Sequence, residues 1–158
     1  MIFDRWFARE AALSDAGPAD AAAIAALHAA SFQRGWSEDE LDRLLLDRNV
    51  VAHRAMTGRA LAGFILSRVV AGEAEILSVA VARSRQGRGL ARRLLDLHLR
   101  RLAGLGVAAV FLEVGEDNAP ACRLYARAGF HEVGRRAGYY PAQRGAASTA
   151  LVLRRDLS

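Results

Sequence analysis

The spacing of hydrophobic residues along this 158-residue chain changes several times. After Gly17-Pro18-Ala19-Asp20, an Ala-rich stretch from about Ala19 to Ala30 puts Ile24, Leu27 and His28 on one side of a helix. Ser37 opens a second helix. It is a natural N-cap, Glu40 three residues later completes a capping box, and Leu41, Leu44 and Leu45 form the apolar face. Glu38, Asp39 and Glu40 also suit the positive end of a helix dipole. Strand-like runs follow at Val50–Ala55, Ala60–Val70 and Glu75–Val81, with turns near Thr57-Gly58 and Ala71-Gly72, the pattern of an antiparallel meander.

The helical period then returns from about Gly89 to Ala103, with Leu90, Leu94, Leu97 and Leu102 at helical spacing and Gly104 and Gly106 as terminators. Val107–Val114 is apolar throughout except for Glu113, which reads as a parallel strand covered on both faces. Asn118-Ala119-Pro120 starts another helix, with proline in the first turn, where its missing N–H costs little, and Gly129 closes it. Phe130–Val133 and Ala150–Leu153 read as two last strands. The elements predict one mixed α/β domain spanning residues 1–158 around a single sheet. A chain of this size buries roughly 70% of its unfolded surface.

Composition narrows the function classes. At 53% hydrophobic the chain is not intrinsically disordered. No apolar run reaches the ~18–20 residues of a membrane span, so no membrane partner is expected. Met1–Phe7 lacks the basic region and apolar core of a secretory signal. The lone Cys122 forbids an internal disulfide and fits a reducing compartment, so the cytoplasm is expected. His28, His53, His98 and His131 lack metal-ligand spacing, and no metal is expected. All 22 basic residues are Arg, against 17 acids, for a net charge of +5. The charge is unevenly spread: residues 1–82 carry 8 Arg and 11 acids, net −3, whereas residues 83–158 carry 14 Arg and 6 acids, net +8. The second half therefore points to an anionic partner. Nucleic acid is not expected, because Arg83 to Arg93 contains no aromatic to stack on bases. Arg100-Arg101 and Arg154-Arg155 read as solvated surface.

Three features carry candidate chemistry. Gly87 and Gly89 lie between Arg85, Arg88, Arg92 and Arg93 at a helix start, where backbone N–H groups and the dipole make an anion site suited to a pyrophosphate. The alternative is a simple turn with solvated arginines, and neither the Walker pattern nor G-x-G-x-x-G fits. Glu113 is a single carboxylate in an apolar strand. Desolvation would raise its pKa and make it a general base, whereas a salt bridge to a neighbouring Arg or a solvated strand end would make it structural. Asn118 and Tyr125 are two helical turns apart and share a face. Tyr125 is a proton donor or a core residue, and Asn118 a helix cap or a ligand contact. Cys122, one turn before Tyr125, reads as a small buried hydrophobe.

Gln86-Gly-Arg-Gly-Leu-Ala91 resembles the [Arg/Gln]-x-x-Gly-x-[Gly/Ala] signature of the GCN5-related N-acetyltransferases, the GNAT superfamily. Leu112-Glu-Val-x-x-x-Asn-x-x-Ala-x-x-Leu-Tyr-x-x-x-Gly-Phe130 resembles its companion pattern. With Ser31-Phe32, Trp36-Ser-Glu38 and Tyr139-Tyr-Pro141, residues 18–155 resemble the bacterial ribosomal-protein-alanine N-acetyltransferases. The resemblance implies an α/β GNAT fold: one mixed, mostly antiparallel sheet, helices on both faces, and a strand pair splayed at the cofactor site. It implies acetyl-CoA as donor and the N-terminal α-amine of a protein, expected to be a ribosomal protein beginning with alanine, as acceptor. Backbone groups of Val79, Ala80 and Val81 would hold the pantetheine arm of coenzyme A. Amides of Gly87, Arg88, Gly89, Leu90, Ala91 and Arg92 would hold its pyrophosphate, and Asn118 would help anchor it. Arg83, Arg85, Arg88 and Arg123 are candidates for its ribose phosphate. Glu113 would be the general base, Tyr125 the general acid, and Trp36, Tyr139 and Tyr140 would line the acceptor side.

Overall fold

The structure, a computed structural model, describes residues 10–32, 35–140 and 148–158. Along the chain these residues form β1 (Ala12–Asp15), α1 (Ala21–Ser31), α2 (Glu38–Leu46), β2 (Val50–Thr57), β3 (Ala60–Val70) and β4 (Glu73–Val81). They continue with α3 (Leu90–Gly104), β5 (Ala109–Gly115), α4 (Ala119–Arg127), β6 (His131–Tyr140) and β7 (Ser148–Asp156). The strands make one seven-stranded sheet in the order β1-β2-β3-β4-β5-β7-β6, and every neighbouring pair is antiparallel except β4–β5.

The two faces of the sheet are covered separately. On one face, Val110, Leu112 and Val114 of β5 meet Leu94, Leu95, Leu99 and Leu102 of α3 and Tyr125 of α4. On the other, Ile24 of α1 and Leu41 of α2 pack on Phe64, Leu66 and Ala80, with Trp36 against the same cluster. Local sequence explains the helix starts. Ser37 Oγ accepts the Glu40 N–H at 3.1 Å, as an N-cap should. Pro18–Asp20 forms a 3₁₀ turn before α1, so the α-helix itself begins at Ala21, later than its Ala content suggests.

The structure corrects four sequence expectations. β1 was not foreseen, because Ala-Leu-Ser-Asp has no strand-like period and pairs only as an edge of β2. β5 is not a strand flanked by parallel neighbours: it pairs in parallel with β4 over three residues and antiparallel with β7 over seven. β6 and β7 run 10 and 9 residues, because backbone pairing extends them past their apolar positions. In α3 the buried stripe is Leu90, Leu94, Leu95, His98, Leu99 and Leu102, with Leu97 at its side.

His98 is buried within that stripe because it is fully partnered. Its Nε2 lies 2.6 Å from Ser67 Oγ and its Nδ1 2.7 Å from His53 Nδ1, while His53 Nε2 is 3.4 Å from the Asp15 carboxylate. A carboxylate can only accept, so the proton directions follow. His53 carries its proton on Nε2 toward Asp15, His98 donates from Nδ1 to His53, and Ser67 donates to His98. These two hydrogen bonds tie α3 to β2 and β3 with both rings neutral, and the Asp15 contact adds β1. Burial pushes the pKa of His98 down to about 3 and lowers that of His53.

Arg154 and Arg155 are not merely solvated. The Arg154 guanidinium lies 5.1 Å from the Phe111 ring centre, and Arg155 Nη1 donates to the Ala128 carbonyl at the end of α4.

Candidate active site

β4 and β5 stay together only where Glu73–Glu75 face Ala109–Phe111. The register of β4 on β3 slips at the point of separation: Leu66 faces Ser78 while Ser67 faces Ile76, leaving Leu77 as the extra residue of a bulge. Beyond it, Val79, Ala80 and Val81 pair with Ile65, Phe64 and Gly63 of β3, and among the described residues no strand pairs with their other edge. That edge offers backbone donors and acceptors to a ligand, although the Val81 carbonyl already accepts from Gln86 Nε2 at 3.1 Å.

The loop after β4 leads to the start of α3. Gly87 and Gly89 have φ of 76° and 78°, a region that disfavours any other residue, and a Cβ on either would meet nothing within 4 Å. Their role is thus conformational: they shape the turn into the helix start, where unpaired backbone N–H groups suit an anion. A cleft of about 330 Å³ opens there, between Gln86–Arg92 on one side and Arg123, Leu124 and Arg127 of α4 on the other. Arg85 and Arg92 also line it, whereas Arg88 does not, and Arg92 is hydrogen-bonded to Asp96 at 2.9 Å. Arg127 was missed in the sequence, although its four-residue spacing from Arg123 on a helix puts both on one face.

Glu113 and Tyr125 come from opposite faces of the sheet. Because β-strand side chains alternate, Glu113 points away from the side occupied by its neighbours Leu112 and Val114. It is therefore not desolvated within the apolar layer: its side chain is 26% exposed and lies 3.3 Å from Arg136 Nη2, so an ion pair replaces the expected apolar burial. Tyr125 sits in the core under α4, edge-on to Phe130 with ring centres 5.6 Å apart. Burial, with a smaller contribution from Cys122, pushes its phenol pKa up and keeps the hydroxyl protonated. Asn118 caps α4, its Oδ1 accepting the Ala121 N–H at 3.3 Å, and it is exposed while Tyr125 is buried. The two therefore share no buried face. Cys122 is half-buried, its thiol 3.6 Å from the Gly115 carbonyl, and burial raises its pKa.

Trp36 lies on the α1–α2 face with Phe64 and Ala80, and Phe111 and Glu113 project to the same side of the sheet. The side chains of Tyr139 and Tyr140 lie outside the described residues. Among the described residues, no group of three His, Cys, Asp or Glu side chains is placed to hold a metal, and no helix is long and apolar enough to cross a membrane.

The model of the Acetyltransferase (GNAT) family matches residues 21–130. The chain belongs to that family. It is an N-acetyltransferase with the GNAT fold. It is 36% identical over 110 residues, 70% of this chain and 74% of the other, to the [ribosomal protein bS18]-alanine N-acetyltransferase of Escherichia coli K12. The crystal structure of the Escherichia coli ribosomal-protein-S18-alanine N-acetyltransferase superposes with a TM-score of 0.87 at 28% identity, covering 94% of each chain. Arabidopsis thaliana NAA60, solved in complex with acetyl-CoA, shares the fold with a TM-score of 0.81 at 20% identity, over 92% of this chain and 98% of that one.

Proposed function

We propose that this GNAT enzyme transfers the acetyl group of acetyl-CoA to the N-terminal α-amine, on alanine, of a ribosomal protein in the cytoplasm, as one domain. The observation that carries the reading is the opening between β4 and β5 with an anion-suited helix start at its mouth. The relatives named for bS18-alanine acetylation support the choice of acceptor.

The position of each group supports a role in the reaction. N–H groups of Gly87, Arg88, Gly89, Leu90, Ala91 and Arg92 bind the pyrophosphate, with Arg85, Arg123 and Arg127 around it supplying positive charge. The free edge of Val79, Ala80 and Val81 holds the pantetheine arm, and the exposed amide of Asn118 adds an anchor. Acetyl-CoA supplies the activated acyl carbon. Binding donor and acceptor side by side removes most of the entropic barrier to their reaction.

Glu113, facing the acceptor side, takes a proton from the attacking amine through a water molecule. The new N–C bond forms as the C–S bond breaks, and Tyr125, on the cofactor side with its proton retained, returns a proton to the departing sulfur. An α-amine has a pKa of ~8 against ~10.4 for Lys, so roughly a few hundred-fold more of it is uncharged at neutral pH. That suits a carboxylate acting through water. Trp36 lines the acceptor approach, a role that the resemblance also implies for Tyr139 and Tyr140.

The test offers acetyl-CoA with peptides beginning in Ala, peptides with blocked N-termini and internal Lys, and small amines. Mass spectrometry locates the acetyl group. Acetylation of the α-amine of the Ala peptides is expected, and transfer only to Lys side chains or small amines overturns the acceptor assignment.

A further inference from the structure

His28, in the last turn of α1, has no part in the chemistry above and is buried. Its Nδ1 accepts the backbone N–H of Trp36 at 3.0 Å. Its ring also stacks on the Trp36 indole, with centres 4.4 Å apart and planes 9° apart. Phe32 closes against it at 4.5 Å and Phe64 of β3 at 6.4 Å. One imidazole therefore holds both the backbone and the side chain of Trp36. The residue before Trp36 is fitted to α1 as well, since a Cβ on Gly35 would lie 3.0 Å from the Ala29 Cα.

The bond defines the protonation state. An accepting Nδ1 requires the neutral ring with its proton on Nε2. Protonating Nδ1 would turn the acceptor into a donor, set two N–H groups against each other and break the bond. The groups packed around the ring are Phe32 of the α1–α2 turn, Trp36 of the same turn, Phe64 of the sheet and, as the charged neighbour, Glu40 of α2. Burial lowers the His28 pKa and Glu40 works against that shift, so at neutral pH the ring accepts.

We propose that His28 is a positioning residue for the acceptor: through its unprotonated Nδ1 it sets the place of Trp36, so that acceptor use falls when that nitrogen is lost or protonated, while acetyl-CoA use does not. The proposal rests on Trp36 lining the acceptor side.

Two variants separate the bond from the ring. His28→Phe keeps an aromatic to stack on the indole but removes the acceptor, whereas His28→Asn keeps an acceptor oxygen near the position of Nδ1 and removes the ring. His28→Phe is expected to raise KM for an Ala-initiated peptide about tenfold, the scale of one lost hydrogen bond. KM for acetyl-CoA and kcat should stay within about twofold, and His28→Asn should restore most of the peptide KM. With peptide concentration expressed as the free α-amine, KM in the unaltered protein should still climb as pH drops below about 6.5, the ordinary imidazole value, and His28→Phe should abolish that remaining dependence. Hydrogen exchange at the Trp36 amide and the 15N shifts of the His28 ring read the bond without any turnover. Fast exchange at Trp36 in His28→Phe with an unchanged peptide KM overturns the positioning role and leaves the acetyltransferase reading intact. Equal changes in kcat and both KM values make His28 merely structural and also overturn it. Failure of the unaltered protein to acetylate any amine overturns both readings together.

Discussion

His53 Nδ1 and His98 Nδ1 face each other at 2.7 Å inside the protein core, and one of the two nitrogens must carry the only proton between them. Protonating either ring reverses or breaks the bonds that run from Ser67 through His98 to His53. The folded state therefore resists protonation that the unfolded chain accepts near pH 6.5. Stability is expected to be fully present above about pH 6.5 and to fall as pH is lowered toward about 3, the depressed value of His98. Each such histidine contributes a slope of up to about 1.4 kcal/mol per pH unit. Urea unfolding at pH 7, 5.5 and 4.5 measures it. The double variant Ser67→Ala/His98→Leu should have a shallower pH slope, with a loss of about 1–3 kcal/mol at pH 7 from the stranded His53. An identical slope in the two proteins would remove the histidine pair as the cause.

Gly89 ends the loop in the left-handed region with space around it. Gly89→Ala should fold, at a cost of about 1–2 kcal/mol for the backbone conformation. If the loop N–H groups bind pyrophosphate, coenzyme A affinity should also drop, since their aim depends on that φ. Gly89→Asn should recover part of both losses. Thermal melts and calorimetric titration with coenzyme A test the two effects separately. Unaltered affinity alongside lowered stability would place the pyrophosphate elsewhere.

Glu113 and Tyr125 lie on opposite sides of the sheet. Glu113→Gln is expected to cut kcat by about 10²–10⁴ and leave coenzyme A affinity within about twofold, the range for loss of a general base. Unchanged turnover at neutral pH would remove Glu113 from the chemistry. Tyr125→Phe should slow transfer by a similar factor with little change in melting temperature, because the ring keeps its contact with Phe130. With its phenol pKa raised, Tyr125 should contribute no alkaline loss of kcat below about pH 10, its unperturbed value.

Ser78 Oγ is buried beside the β4 bulge and has no hydrogen-bond partner among the described residues. Ser78→Ala should be neutral or stabilising by up to about 1 kcal/mol, because it removes an unsatisfied polar group. Chemical denaturation measures this directly, and a loss above 1 kcal/mol would indicate a partner for the hydroxyl.

The glycine loop and the Leu-Glu-Val to Gly-Phe run were legible in the sequence because local constraints write them. Glycine adopts the φ values at residues 87 and 89 without strain, and a strand–cap–helix order favours Asn118, Pro120 and Gly129. The helices and the inner strands were legible for the same reason, since each must show one apolar face to a core. β1 and most of β6 were not, because an edge strand is stabilised by backbone pairing with β2 or β7 rather than by its own side chains.

The pairing of distant residues was decided only in three dimensions. Local pattern made Glu113 the odd charge in an apolar run, but only the pleat of β5 turned it away from the core and only β6 brought Arg136 to it. His28, His53 and His98 had no metal spacing and looked inert in the sequence. Their partners lie 8 to 45 residues away, at Trp36, at each other and at Ser67. By itself the sequence determined which segments form helices and inner strands and where the backbone turns toward an anion, because those properties depend on neighbours within a few residues. The tertiary structure decided where β4 leaves β5, which face each titratable side chain meets, and which imidazole nitrogen holds a proton, because those depend on groups that only the folded sheet brings within hydrogen-bonding distance.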